Sequence, residues 1–207
     1  PERALLSAIK VYLALKEQAT KDPAIRGMGI NCLNESHFSD TTPCLAWDLL
    51  YDELGILWAC EGDTMALMTK YLINRSLAVP VIMSNIYPFL MGQAALKHEK
   101  IPSFPKVDSE PENHLLMAHC GYLGVCPRRF ADQGAWTLRP KVLGIVDENA
   151  HMIDARLPQG PCTLVKLDPT LGKLMVMEGE LKGYAQFEDS DCRNGAVVKV
   201  KDGHRMM

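Results

Sequence analysis

The sequence predicts an α/β fold in which parallel-sheet βα units are followed by a small antiparallel β-barrel-like domain. Three patterns carry that expectation. A strand, a polar exit and a helix recur at about the length of a βα unit between residues 27 and 84. Residues 3–20 space Leu5, Leu6, Ile9, Val11, Tyr12, Leu13 and Leu15 mostly as a helix does. After about residue 135 the helical periodicity fades and short β-like runs alternate with turns. These shifts suggest an α/β region over 1–134 and an antiparallel β-domain over 135–207.

The first helix, residues 2–20, is under way at Glu2 with no capping residue before it, so we expect a piece cut from a longer chain. Lys21-Asp22-Pro23 ends it, because proline disfavours helical geometry in the residue before it. Gly27 to Cys32 reads as a buried strand that opens into the polar cluster Asn34 to Asp40. A second helix starts near Thr41-Thr42-Pro43, with a hydroxyl cap and proline in the first turn, and runs to about Glu53. Ile56 to Cys60 is the next strand, Glu61-Gly62-Asp63 its polar exit, and Thr64 to about Arg75 the following helix. Val79 to Ser84 and His114 to Cys120 read as further strands, with a loop over 99–113 between them. The β-like runs beyond are 142–146, 162–167, 173–177 and 196–201, and Asp168 to Gly172 is a hairpin loop.

Composition narrows the function. The 207 residues are 47% hydrophobic and 23% charged with a formal net charge of -3, and no basic stripe argues for nucleic acid. No apolar run approaches the roughly 18 residues of a membrane span, and the start has no signal pattern. Seven cysteines without a CxxC pair fit buried free thiols in a reducing cytoplasm better than a disulfide framework.

Ligands of open α/β sheets gather at the carboxyl ends of the parallel strands. Glu35 follows the first proposed strand, Glu61 and Asp63 the second, and His119 ends a later one. Carboxylates and an imidazole suit a divalent cation with open positions, manganese or magnesium first, with zinc and cobalt also compatible. A plainer reading stands beside this one. Asp63 before Thr64 would serve equally as a helix cap, and His119 in an apolar run as a core histidine. Cys32, Cys44, Cys60, Cys120 and Cys126 lack paired spacing for zinc, and Cys120 lacks partners for a nucleophile. His37 and Arg128-Arg129 are candidates for substrate or phosphate contact, with a solvent-facing role as the alternative, and Glu178-Gly179-Glu180 suits a turn or rim.

Five segments in series resemble L-fucose isomerase-like proteins of the L-fucose and L-arabinose isomerase superfamily, in their carboxyl-terminal part. They are Asn31 to Glu35, Pro43 to Ala46, Ala59 to Asp63 with Ala66 to Thr69, Val81 to Ile86, and Asn113 to Gly121. Gly160 to Asp168 with Glu178 to Glu180 is similar to the terminal β-domain of that family. The resemblance implies a cytoplasmic, homo-oligomeric, divalent-metal-dependent aldose–ketose isomerase, with manganese the expected metal, acting on a small sugar through an enediolate. It implies Glu35 and Asp63 as catalytic residues, and Glu35, Asp63 and His119 as metal ligands. True fucose isomerases carry their ligand histidine much later, where only His204 stands here. Family members also carry amino-terminal domains before this region. A non-catalytic sugar-binding or regulatory relative that keeps the fold is the alternative.

Overall fold

The structure, a computed structural model, describes residues 2–32, 41–88, 109–119, 128, 136–140, 151–170, 172–186 and 194–203. It is a mixed α/β protein. Helix α1 is Glu2–Lys21, strand β1 Gly27–Gly29, α2 Cys44–Leu54, β2 Leu57–Ala59 and α3 Thr64–Leu77. The strands that follow are β3 Asn85–Pro88, β4 His114–Ala118, β5 Trp136–Pro140, β6 His151–Ala155, β7 Gly160–Asp168, β8 Lys173–Gln186 and β9 Asn194–Val200. No described helix is long and apolar enough to cross a membrane.

Helix α1 turns one stripe inward, with Ala8 and Ala19 buried and Leu5, Ile9, Tyr12 and Leu15 half-buried, and leaves Leu6 and Leu13 outside. That spacing of three and four is the inward face of an amphipathic helix. Helix α2 is buried nearly all round, with Cys44, Leu45, Ala46, Trp47, Asp48, Leu50 and Tyr51 inside. It ends at Gly55, whose φ of 65 suits glycine and whose N–H closes on the Leu50 and Tyr51 carbonyls. Glu53 ties the two helices by accepting from Tyr12 and Lys16.

Strands β1 and β2 pair in parallel, Gly27 against Leu57 and Gly29 against Ala59, so β1–α2–β2 has the order of one βα crossover. This is the one parallel pair among the described residues. The larger sheet runs β3-β4-β9-β8-β7 and is antiparallel throughout, curling as a half-barrel. The mixed α/β class and the curled antiparallel half thus match expectation, whereas the described residues hold only a two-stranded parallel sheet. The five-stranded sheet also draws from both sides of the boundary expected at 134/135, since β4 pairs with β9.

The strand expected at Val79 to Ser84 is displaced to Asn85–Pro88. Side chains take up the backbone there instead of a ladder. Asn74 Nδ2 donates to the Val79 carbonyl at 2.8 Å, and the Val81 N–H donates to Tyr51 Oη at 3.3 Å. The hairpin expected around residues 168–172 is present, with Asp168 opposite Lys173. The run 142–146 lies outside the described residues.

Two apolar clusters result. One joins Ala19, Trp47, Leu50, Tyr51, Leu57 and Trp58 around β2. The other packs Ala8 and Leu45 onto Leu115, Met117, Leu181, Ala196 and Val198 of the large sheet.

Candidate functional site

The parallel pair continues past its last strand residues and folds the exit of β2 over the end of β1. Ile30 N–H donates to the Ala59 carbonyl at 3.2 Å, and Gly62 N–H donates to the Ile30 carbonyl at 3.2 Å. Within this turn Glu61 takes a φ of 60 and Gly62 a φ of 69. Two consecutive left-handed residues reverse the chain into α3, and the first of them carries a side chain at some conformational cost.

Asp63 caps α3. Its Oδ1 accepts the Ala66 N–H at 2.7 Å, and its Oδ2 accepts from Lys166 Nζ of β7 at 2.7 Å. Burial pulls the Asp63 carboxyl upward, but Lys166 and the Ala66 N–H outweigh it and hold its pKa below the ordinary value. Both oxygens are therefore engaged.

Glu61 reaches the other way. Its Oε1 stands 3.5 Å from His119 Nδ1 and accepts from Asn85 Nδ2 of β3 at 3.3 Å. Burial raises the Glu61 pKa, with Asn85 opposing. His119 follows β4, is 1% exposed and stacks on Trp58 with ring centroids 6.0 Å apart. Neither of its ring nitrogens has a hydrogen-bond partner among the described residues. Burial pushes its pKa down to about 4, so the ring is neutral at pH 7.

Beside this pair, Lys70 of α3 donates to the Trp58 carbonyl at 2.7 Å and lies over the indole, 3.3 Å from its centroid. Burial drives the Lys70 pKa well below the ordinary lysine value. Cys32, Cys44 and Cys60 lie buried in the same neighbourhood, none of them in a disulfide. Burial lifts the Cys44 thiol to about 12. A hydrogen bond with Cys32, then burial, lifts Cys60. Such thiols are inert nucleophiles.

Of the residues the sequence singled out, Glu35, His37, Cys120, Cys126, Arg129 and His204 lie outside the described residues. Arg128 is exposed, and its N–H donates to Asp52 Oδ2 at 3.1 Å. Glu178, Gly179 and Glu180 edge an open cleft with Glu110, Lys199 and Asp202. Among the described residues no three His, Cys, Asp or Glu side chains converge as a metal set. The donor chemistry nevertheless fits a divalent cation at the Glu61–His119 pair, where a neutral imidazole offers unpaired lone-pair capacity beside a carboxylate. Asp63 joins such a set only by leaving Lys166. Sequence reasoning missed Lys70 and Asn85. Nothing local marks a helical Lys as lying over a buried indole or a strand Asn as bonding a distant carboxylate.

No family model matches the chain, and no curated protein matches it significantly.

Proposed function

We propose that the chain is the carboxyl-terminal catalytic portion of a cytoplasmic, homo-oligomeric, divalent-metal-dependent aldose–ketose isomerase acting on a small sugar. The support is the series of sequence segments given above together with one observation. The exit of β2 carries Glu61 and Asp63, the end of β4 carries His119, and Glu61 and His119 meet at 3.5 Å. On this reading β1–α2–β2–α3 is the start of a parallel βα sheet, and amino-terminal domains complete the pocket.

Bound at such a site, a divalent cation, manganese before magnesium, cobalt or zinc, supplies Lewis-acid polarisation of neighbouring carbonyl and hydroxyl oxygens. His119, with Glu35 and Asp63, is the proposed holding set. Glu35 and Asp63 are the proposed groups that move a proton between the two reacting carbons, worth about 10²–10⁴-fold. The engagement of both Asp63 oxygens favours a second reading, a sugar-binding or regulatory relative without turnover.

The test is elemental analysis of the complete protein, followed by aldose–ketose conversion assays with Mn²⁺ on pentoses and 6-deoxyhexoses. Bound divalent metal and conversion abolished by Asp63→Asn are expected. Ligand binding without conversion selects the second reading, and a protein with neither metal nor sugar affinity overturns both.

A further inference from the structure

Glu61 occupies a position that ordinary stability would give to glycine. Its φ of 60 is left-handed, and a carboxylate adds nothing to such a turn that glycine would not provide more cheaply. The conformation turns the side chain toward the large sheet, where Asn85 Nδ2 donates to Oε1 at 3.3 Å and fixes it against His119. His119 in turn is 1% exposed, held flat on Trp58 at an interplanar angle of 17°, with both ring nitrogens unpaired among the described residues. Buried polar atoms usually find partners, so an imidazole buried this deeply with two orphaned nitrogens points to a partner beyond the described residues.

We propose that Glu61 and His119 together ligate a divalent cation, Glu61 being a metal ligand of the isomerase site on whose reading this inference rests. The separation fits. At 3.5 Å, Glu61 Oε1 and His119 Nδ1 are too far apart for a good hydrogen bond. Two donors that share one cation at about 2.1 Å each sit roughly 3.0–3.4 Å apart. Asn85 would then orient the carboxylate and Trp58 the ring, the supporting contacts that metal ligands commonly have. Two protein donors leave positions open for the oxygens of a substrate.

The experiment titrates Mn²⁺ into the complete, chelator-stripped protein and follows the spin-resonance signal of the free ion, with thermal melting in parallel. Glu61→Gln and His119→Asn should each weaken Mn²⁺ binding by at least about tenfold. Glu61→Gly should weaken it as much while melting no lower than the parent, because glycine relaxes the left-handed turn. Mn²⁺ affinity unchanged in Glu61→Gln overturns the role of Glu61 and leaves the isomerase reading standing. Loss of binding that comes only with loss of the melting transition in both Glu61 variants marks the residue as structural and overturns the inference. A parent protein that binds no Mn²⁺ overturns inference and reading together. Mn²⁺ binding that depends on Glu61, without sugar conversion, keeps the site and sinks the isomerase.

Discussion

Lys166 of β7 holds Asp63 at the start of α3, Nζ to Oδ2 at 2.7 Å, across 103 residues of sequence. The contact joins the curled antiparallel sheet to the helix that follows the parallel pair. Thr69 Oγ1, accepting the Leu167 N–H at 3.0 Å, adds a second tie between the same elements. Asp63 is thus both a helix cap and one end of an ion pair between layers, and its variants should separate those roles.

Asp63→Asn keeps a capping side chain, since asparagine caps as well as aspartate. It loses an ion pair whose side chains are 45% and 32% exposed, worth at most about 1 kcal/mol. Asp63→Ala loses the cap as well, about 1 kcal/mol more, and should melt roughly 2–4 °C below Asp63→Asn. Coincident melting curves would show that the Ala66 contact contributes nothing.

His119 should make the metal-free fold sensitive to acid. Its folded pKa is about 4 against an ordinary 6.5, so the unfolded chain takes up the proton first as pH falls. Stability is then full above 6.5 and declines toward 4, by about 3 kcal/mol in all and about 2 kcal/mol between pH 7 and 5. Of the groups facing it, Glu61 has a raised carboxyl pKa and opposes part of this slope as it protonates. Lys70, whose pKa burial holds well below the ordinary lysine value, is common to the parent and the His119 variant, so the comparison between them isolates the imidazole. Denaturant midpoints at the two pH values, in chelator, should converge in His119→Asn. A parent slope as shallow as the variant's would contradict the depressed value.

Tyr184 closes both polar groups of one buried residue. Its hydroxyl donates to the Leu157 carbonyl at 2.9 Å and accepts the Leu157 N–H. Tyr184→Phe leaves the two groups unpaired and should cost about 1–3 kcal/mol, read as a lower denaturant midpoint at constant slope.

Gly195 gives β9 a close approach to β4. A methyl group there would stand 2.3 Å from Leu116 Cδ1 and 2.8 Å from Cγ. Gly195→Ala should therefore cost about 1–3 kcal/mol by overpacking. Leu116→Ala in the same chain should recover part of that loss, and strictly additive effects would show that the two sites do not touch.

The helices were legible because their signals are local. The stripe from Leu5 to Ala19, Gly55 after α2 and Asp63 before α3 each act within a few residues, as does the turn after Asp168. The partner of β4 was not legible. His114 to Ala118 is apolar on both faces, which suits a buried strand of either direction, and its pairing with residues 194–200 is fixed only by packing. The site divides the same way. Asp63 was marked by its place before a helix and serves as that cap, whereas Gly62 announces a turn but not that Glu61 shares its left-handed geometry and meets His119, 58 residues away.

Because β4 is flanked by β3 on one side and β9 on the other, the middle of the large sheet is assembled from the two distant ends of its own sequence span. A ribosome making this chain releases β3 and β4 long before the strand that completes their sheet. Until residues 194–200 emerge, the apolar edge of β4, with Leu115 and Met117, has no partner and is open to mispairing with another nascent copy. Separating the chain near residue 134 would prolong that exposure indefinitely, so the two halves should be recovered together or not at all.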